Sequence, residues 1–406
     1  MQVYLVGGAV RDRLLGRAVS ERDWVVVGAT PKELERAGFI PVGRDCPVFL
    51  HPKTKEEHAL ARLERKVAPG YRGFTTEFSP EVKLEDDLRR RDLTINAMAQ
   101  DDAGNIIDPY GGQRDLEQRQ LRHVSEAFLE DPVRILRVAR FAARYAPLGF
   151  AVAEETMALM RRMVADGEAS ALIAERVWTE TEKALGEPCP DVFISVLREC
   201  GALAVIYPEI DALFGVPQPE KWHPEIDTGV HQLLALREAV KAGGGVPVRF
   251  AVLMHDLGKA ATPASALPSH HGHEEAGVAR IEQLATRLRV PNHLRELAIL
   301  TARFHTHVHR ALELRADTVL KVLESCDALR RPERFADFLL ACEADARGRK
   351  GLENRDYPQR GFFEQARAAS SAVTLTAIER TGLSGEQIGQ ELRRRRIAAI
   401  EALKAA

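Results

Sequence analysis

No stretch of this 406-residue chain is apolar for long enough to cross a bilayer, which takes about 20 consecutive apolar residues. Aromatic residues are scarce, at 6%, and five cysteines (Cys46, Cys189, Cys200, Cys326 and Cys342) are scattered without a C-x-x-C pair. An odd, dispersed set argues against a disulfide framework and for free thiols in a reducing compartment. Net charge is also nearly absent, at −2, so any basic surface must come from local clustering rather than from the total. Met1 is followed within a few residues by a core-like strand. That argues against a secretory signal and sets the cytoplasm as the expected location. What remains is a soluble globular composition, 45% apolar and 29% charged, at a length that suits two to four domains.

The texture changes along the chain. Up to about residue 120, short β-rich runs at 3–6, 24–27, 47–51 and 58–62 mix with helical stretches. From about 125, alanine, leucine, arginine and glutamate recur at helical spacing and strand signals nearly vanish. A Pro/Gly-rich break falls at 215–229, ten of the thirteen histidines lie between His223 and His309, and a softer break comes near 351–363. The tail ends in "ELRRRRIAAIEALK", which reads as a basic helix.

Near the start, "VYLVGGAVRDRLLG" places Gly7 and Gly8 between a strand and a helix, with Arg11 one turn on. Glycines let backbone N–H groups face an anion closely, and a guanidinium adds a charged fork to phosphate. Next comes "SERDWVVVG", with Glu21 and Asp23 two apart. On a strand such residues point to one side, and paired carboxylates repel unless solvated or bridged by a cation such as Mg²⁺. Glu57, opening "EHALAR", offers a third carboxylate. In "EDDLRRRDLTINAMA", Arg90, Arg91, Asp92 and Asn96 crowd a short segment, where a guanidinium suits a triphosphate. In "EDPVRILRVARFAARY", a helix would carry Arg134, Arg137, Arg140 and Arg144 on one stripe. Four like charges there repel, which a polyanion would relieve. Asp131 precedes Arg134 by one turn, and a carboxylate and guanidinium together can hydrogen-bond a base edge.

These motifs, in this order, resemble a bacterial CCA-adding tRNA nucleotidyltransferase of the eukaryotic/eubacterial class, densely over the first 220 residues. The resemblance implies an α+β protein: a polymerase-β-like nucleotidyltransferase head followed by an all-α neck and body. It implies template-independent addition of C, C and A to tRNA from CTP and ATP. Gly8 and Arg11 would contact the nucleotide, and Glu21 and Asp23 would hold Mg²⁺; Glu57 joins them as a candidate catalytic carboxylate on its place in the strand pattern, not on the resemblance. Arg91, Arg137 and Arg140 would bind nucleotide, and Asp131 and Arg134 would read the base edge. The family's first metal carboxylate is usually Asp; Glu21 departs from it, and its extra methylene moves the oxygen.

Further along, "LMHDLGK" sets His255 beside Asp256, with His231 24 residues before and "HHGH" and "FHTHVH" after. Imidazoles and carboxylates in such a set can enclose a divalent metal. The block resembles the HD phosphohydrolase superfamily, and its pairing with the head resembles the multifunctional members found in some bacteria. The resemblance implies an all-α HD domain with metal-dependent phosphatase, 2′-nucleotidase and 2′,3′-cyclic phosphodiesterase activity, served by Ni²⁺ or another divalent transition metal. His231, His255 and Asp256 are the expected ligands. Asp345 is the first choice for the last ligand and Asp327 the second, with His270, His271, His273 and His305 behind them.

The expected division is 1–122 head, 123–222 neck and body, 223–350 HD domain and 351–406 basic helical tail. The expected partners are tRNA, CTP and ATP, with no membrane, in a monomer or homodimer. Two rivals remain: a bacterial poly(A) polymerase, which shares the head and the arginine helix, and a tRNA-binding protein with a dead active site or a vestigial HD bundle.

Overall fold

The computed structural model describes residues 1–19, 21–42, 48–66 and 74–405; Ser20, Cys46 and Pro47 lie outside them. Its contacts divide the chain into two units, Met1–Ile206 and Tyr207–Ala406.

The first unit begins with strand β1 (Gln2–Val6), helix α1 (Gly8–Leu14), β2 (Asp23–Val27), α2 (Pro31–Arg36), β3 (Ile40–Val42), β4 (Val48–Leu50) and β5 (Glu57–Leu60). A hairpin of β6 (Leu63–Lys66) and β7 (Phe74–Glu77) follows, then α3 (Leu84–Arg89), β8 (Ala99–Gln100), β9 (Ile106–Ile107), α4 (Gly112–Glu117) and β10 (Gln120–Leu121). One seven-stranded sheet runs in the order β3-β4-β5-β2-β1-β8-β9. The β1–β2 pair is antiparallel and β2–β5 is parallel, with Asp23 opposite Glu57. Alternation sends Val6 and Val25 into a core with Leu88, Ala97 and Ala99, while Val26 and Leu60 pack with Leu34 and Phe49 on another. The carboxylate-bearing start of β2 therefore stays at the sheet rim, next to the β1–α1 turn.

Helices then take over: α5 (Val133–Tyr145), α6 (Glu154–Ala165), α7 (Ala174–Gly186), α8 (Pro190–Glu199) and α9 (Ala202–Ile206), with β11 (Ala151–Val152) pairing β10. Helix α5 packs against α7 and α8 through Ile135, Val138, Ala139 and Ala142, all buried.

The second unit is helical among its described residues: α10 (Pro208–Asp211), α11 (Thr228–Lys241), α12 (Val246–Met254), α13 (His273–Leu288), α14 (Asn292–His309), α15 (Ala316–Ser325), α16 (Pro332–Arg347), α17 (Pro358–Ala372), α18 (Ala377–Arg380) and α19 (Gly385–Ala405). Asp227 caps α11 by accepting from Val230 N–H at 2.9 Å, and prolines open α16 and α17 where a helix has no use for the missing donor. Helices α11, α12, α14 and α16 pack on one another around the apolar α12, bringing their histidines and carboxylates together. No helix among the described residues is long and apolar enough to cross a membrane.

Candidate functional site

The β1–α1 turn explains its own sequence. Gly7 has φ +68°, and a Cβ there would stand 2.9 Å from Arg91 Nη1. The positive φ requires glycine, and the missing side chain leaves room for the guanidinium. Gly8 opens α1, and Arg11 projects from it, 4% exposed, with Nη1 donating to Asn96 Oδ1 at 2.6 Å and Nε to Asp12 at 2.9 Å. The rings of Phe141 and Tyr145 lie 5.4 and 5.3 Å from the Arg11 guanidinium carbon.

Asp23 begins β2, but Glu21 precedes the strand, so the same-face argument does not apply to the pair. The two are still neighbours in charge. Burial raises the Asp23 pKa, Arg91 opposes that, and Glu21 raises it further. Glu57 stands in register with Asp23 across the parallel β2–β5 ladder. Three carboxylates thus line one cavity near the same rim, oxygen donors of the kind a hard ion such as Mg²⁺ takes, without the tight gathering of ligand atoms found in the second unit. Together with Gly7, Gly8, Arg11, Arg91, Asn96, Asp131, Arg134, Arg137 and Arg140 they line a cavity of about 900 Å³ inside the first unit.

The arginine stripe corrects an expectation. Its repulsion is relieved within the protein, without a polyanion. Arg137 donates to Asp92 at 2.7 Å, Arg140 to Glu180 at 2.6 Å and Arg144 to Glu187 at 2.9 Å. Arg134 donates to the carbonyls of Ala127 and Arg90, each at 2.6 Å. Asp131 and Arg134 do not pair with each other. Arg176, from α7, grips both oxygens of Asp131 at 2.9 and 2.7 Å. Burial opposes ionisation of Asp92, but Arg137 above all, then Asn96, hold its carboxyl well below the usual range. Asn96 donates to Asp92 at 3.0 Å while accepting from Arg11, so one buried carboxylate fixes two guanidiniums. Arg176, Glu180 and Glu187 lie 45, 40 and 43 residues from their partners and belong to no motif, so spacing could not single them out.

In the second unit the histidine block closes on itself. His231, His255, Asp256 and Asp345 are all buried. His231 Nε2 is 3.0 Å from Asp345 Oδ1, and His255 Nε2 is 3.2 Å from Asp256 Oδ2 and 3.6 Å from Asp345 Oδ2. Asp327 is elsewhere, paired with Arg330 at 2.7 Å, so of the two candidate aspartates only Asp345 joins the cluster. His270 spends both nitrogens on Thr262 and Pro217, and His271 is exposed; neither joins. His273 and His305 do, each within 3.7 Å of Asp256 Oδ1.

Four residues complete the arrangement that spacing had not singled out. Glu225 sits 3.0 Å from His231 Nδ1, and His309 Nε2 is 2.6 Å from Asp345. Lys259 Nζ lies 2.7 Å from Asp256 Oδ2, and His223 is 3.0 Å from Glu225. The i, i+4 spacing of His305 and His309 on α14 is the one signal for any of them.

Two observations test the cluster as a metal site. His255 Nε2 and both Asp256 oxygens are buried without a well-formed hydrogen bond, although Lys259 stands close to one of them. His255 Nδ1 meets the Val252 carbonyl at 2.7 Å, and a carbonyl only accepts, so the ring proton sits on Nδ1 and Nε2 turns a lone pair inward. The donor set fits a divalent cation of intermediate softness. Burial works against charge on His255, but Asp256 and then Asp345 outweigh it and hold its pKa up at about 10, so these carboxylates favour a positive charge at their centre, a proton on Nε2 when no cation is there and a bound cation in its place.

Known proteins resemble this chain in both units. Residues 3–122 match the family model described as the poly A polymerase head domain, 149–214 that of a probable RNA and SrmB-binding site of polymerase A, and 229–331 that of the HD domain. A multifunctional CCA protein of Thioalkalivibrio sulfidiphilus is 62% identical over 405 residues, covering 100% of this chain and 99% of the relative. Its namesake in Vibrio cholerae is 59% identical, covering 99% and 100%. Among solved structures, a CCA-adding enzyme in complex with ATP superposes with TM-score 0.68 at 21% identity, covering 98% of this chain and 86% of that one. The Thermotoga maritima CCA-adding enzyme complexed with tRNA gives 0.64 at 19% identity, covering 100% and 88%. The fold is thus a polymerase head followed by a helical body and an HD domain, and with identity this high over the whole length the chain belongs to the multifunctional CCA protein family.

Proposed function

We propose that the chain adds and repairs the 3′-terminal CCA of tRNA from CTP and ATP, without a template, and that its second unit hydrolyses phosphoesters. The observation that carries the first part is a single cavity lined by Glu21, Asp23 and Glu57 as well as by Arg11, Arg91 and the α5 arginines. Mg²⁺ held by Glu21 and Asp23 would neutralise phosphate charge and favour attack of the tRNA 3′ hydroxyl on the nucleotide α-phosphate. The protein's own share is positioning. Arg11 and Arg137, held through Asn96 and Asp92, present fixed cationic donors, and Arg91 and Arg140 add to the field around a triphosphate. Arg176 holds the Asp131 carboxylate in one orientation; Oδ1 also accepts from Val133 N–H at 3.2 Å, and Oδ2 keeps a second lone pair for a base edge. Arg134 is anchored through two carbonyls, so its guanidinium plane is set before any base arrives. Gly8 keeps the approach to α1 free of a side chain.

For the second unit, His231, His255, Asp256 and Asp345 would hold Ni²⁺ or a similar ion, which supplies an activated water. The proposed activities are phosphatase, 2′-nucleotidase and 2′,3′-cyclic phosphodiesterase. The proposed division of the chain is head 1–122, neck and body 123–222, HD domain 223–350 and basic tail 351–406, in a cytoplasmic monomer or homodimer. The test is incubation of the full chain and Mg²⁺ with tRNA lacking its 3′ end and each labelled nucleotide in turn. Ordered incorporation of two C and one A is expected. An unlimited A tail would instead assign a poly(A) polymerase, and no incorporation would leave a binding protein.

A further inference from the structure

Four guanidiniums surround one ring in the first unit. Phe141, on α5, is 5% exposed and lines the cavity. The guanidinium carbon of Arg140 stands 4.6 Å from the ring centroid, and those of Arg11, Arg137 and Arg144 stand at 5.4, 5.8 and 5.9 Å. Helical spacing accounts for two of them, since Arg137 and Arg144 lie one turn to either side of Phe141. It does not account for Arg140, the next residue in sequence, whose side chain leaves the helix in another direction. Nor does it account for Arg11, which comes from α1.

A second ring extends the surface. Tyr145, one turn on, is buried and parallel to Phe141 within 4°, with centroids 6.1 Å apart. Arg11 reaches both rings, and Arg17 stands 5.8 Å from the second. The Tyr145 hydroxyl donates to Asp12 at 3.2 Å, and Asp12 accepts from Arg11 as well, so α1 is tied to α5 through ring face and hydroxyl together.

Acids and rings act differently on these arginines. A carboxylate takes N–H donors in the plane of the guanidinium and cancels its charge. A ring attracts the guanidinium through the negative charge of its face, takes none of the N–H donors and leaves the charge in place. The rings can therefore hold arginines that stay cationic toward an anion in the cavity.

We propose that Phe141, with Tyr145 beside it, is the positioning residue for Arg11, Arg137, Arg140 and Arg144, fixing their guanidiniums for a nucleotide's triphosphate. The proposal rests on the nucleotidyltransferase reading and adds to it the side chain that orders the cationic donors. Base choice, which that reading gives to Asp131 and Arg134, is left to the start of α5. Loss of the ring's negative face should therefore weaken every nucleoside triphosphate alike.

The test replaces Phe141 in the full chain by phenylalanines carrying one, two and three ring fluorines, which keep the shape of the ring and drain its face of negative charge. Dissociation constants for inorganic triphosphate, CTP and ATP are measured with Mg²⁺, followed by KM and kcat for addition to tRNA lacking its 3′ end. Binding should weaken step by step, by about tenfold with three fluorines, and KM should rise in parallel. kcat should stay within about twofold, and the preference for CTP and ATP over UTP and GTP should hold. A ring that only fills space does not respond to its own charge distribution. CCA addition with a flat fluorine series would overturn the proposal and leave the transferase reading standing, as would a series in which kcat falls while KM stays put. Stepwise loss of triphosphate binding in a chain that adds no nucleotide would keep the positioning role and refute the transferase reading.

Discussion

Asp92 shows how much of the head rests on one buried side chain. It is 5% exposed, it accepts from Arg137 and Asn96, and through Asn96 it sets the direction of Arg11. Asp92→Asn keeps the shape but removes the charge, and should cost about 1–3 kcal/mol in urea unfolding at neutral pH. Because Arg137 and Asn96 depress its folded pKa, the carboxylate contributes stability above its unfolded value of about 3.9 and loses it as pH falls below that. The variant should therefore differ from wild type at pH 7 and converge on it in acid; a constant gap down to pH 2 would contradict this account. Arg176 belongs to the same scale. Its two-pronged grip fixes Asp131, so Arg176→Ala should release the carboxylate and raise incorporation of wrong nucleotides, with discrimination falling by about 1–3 kcal/mol. Unchanged selectivity with a uniformly slower rate would make Arg176 a structural clamp only. The candidate residues themselves were legible in the sequence because the chemistry needs particular side chains at short spacing. Arg176, Glu180 and Glu187 were not, because pairs formed between helices leave no periodic trace.

At the scale of elements, glycine separates close packing from mere flexibility. Gly258 lies where backbone meets backbone, so Gly258→Ala must push α13 away from the His255–Asp256 turn. About 1–3 kcal/mol of destabilisation is expected, with weaker Mn²⁺ binding by equilibrium dialysis. Gly361, within α17, has nothing within 4 Å of a would-be Cβ, so Gly361→Ala should stabilise by roughly 0.5–1 kcal/mol. If both variants shift the urea midpoint alike, the close approach at Gly258 is not what holds the cluster. Periodicity placed most elements because the strand and helix periods differ plainly. It misjudged Glu21, since β2 starts only at Asp23 and a carboxylate pair at a strand end carries no signal for the first paired residue. It also read the repulsion along the α5 stripe as needing a polyanion, whereas the acids that relieve it come from Asp92, α7 and Glu187.

Across the whole molecule, the account assigns two chemistries to two separate sets of side chains. Oxygen donors near Asp23 serve one, and imidazoles and carboxylates between His231 and Asp345 serve the other. Order along the chain was readable because each set is tied to its own motif and a Pro/Gly-rich stretch lies between them. Convergence of α11, α12, α13, α14 and α16 on one centre was not, since it depends on packing across more than a hundred residues. The most direct test takes wild type, Asp23→Ala and His255→Ala, each checked for folding, and assays all three for nucleotide addition to tRNA lacking its 3′ end and for hydrolysis of a 2′,3′-cyclic phosphate. The account predicts that Asp23→Ala abolishes addition while hydrolysis continues, and that His255→Ala abolishes hydrolysis while addition continues. Near-normal addition by Asp23→Ala with Mg²⁺ present, or loss of both activities in a folded His255→Ala, would contradict it.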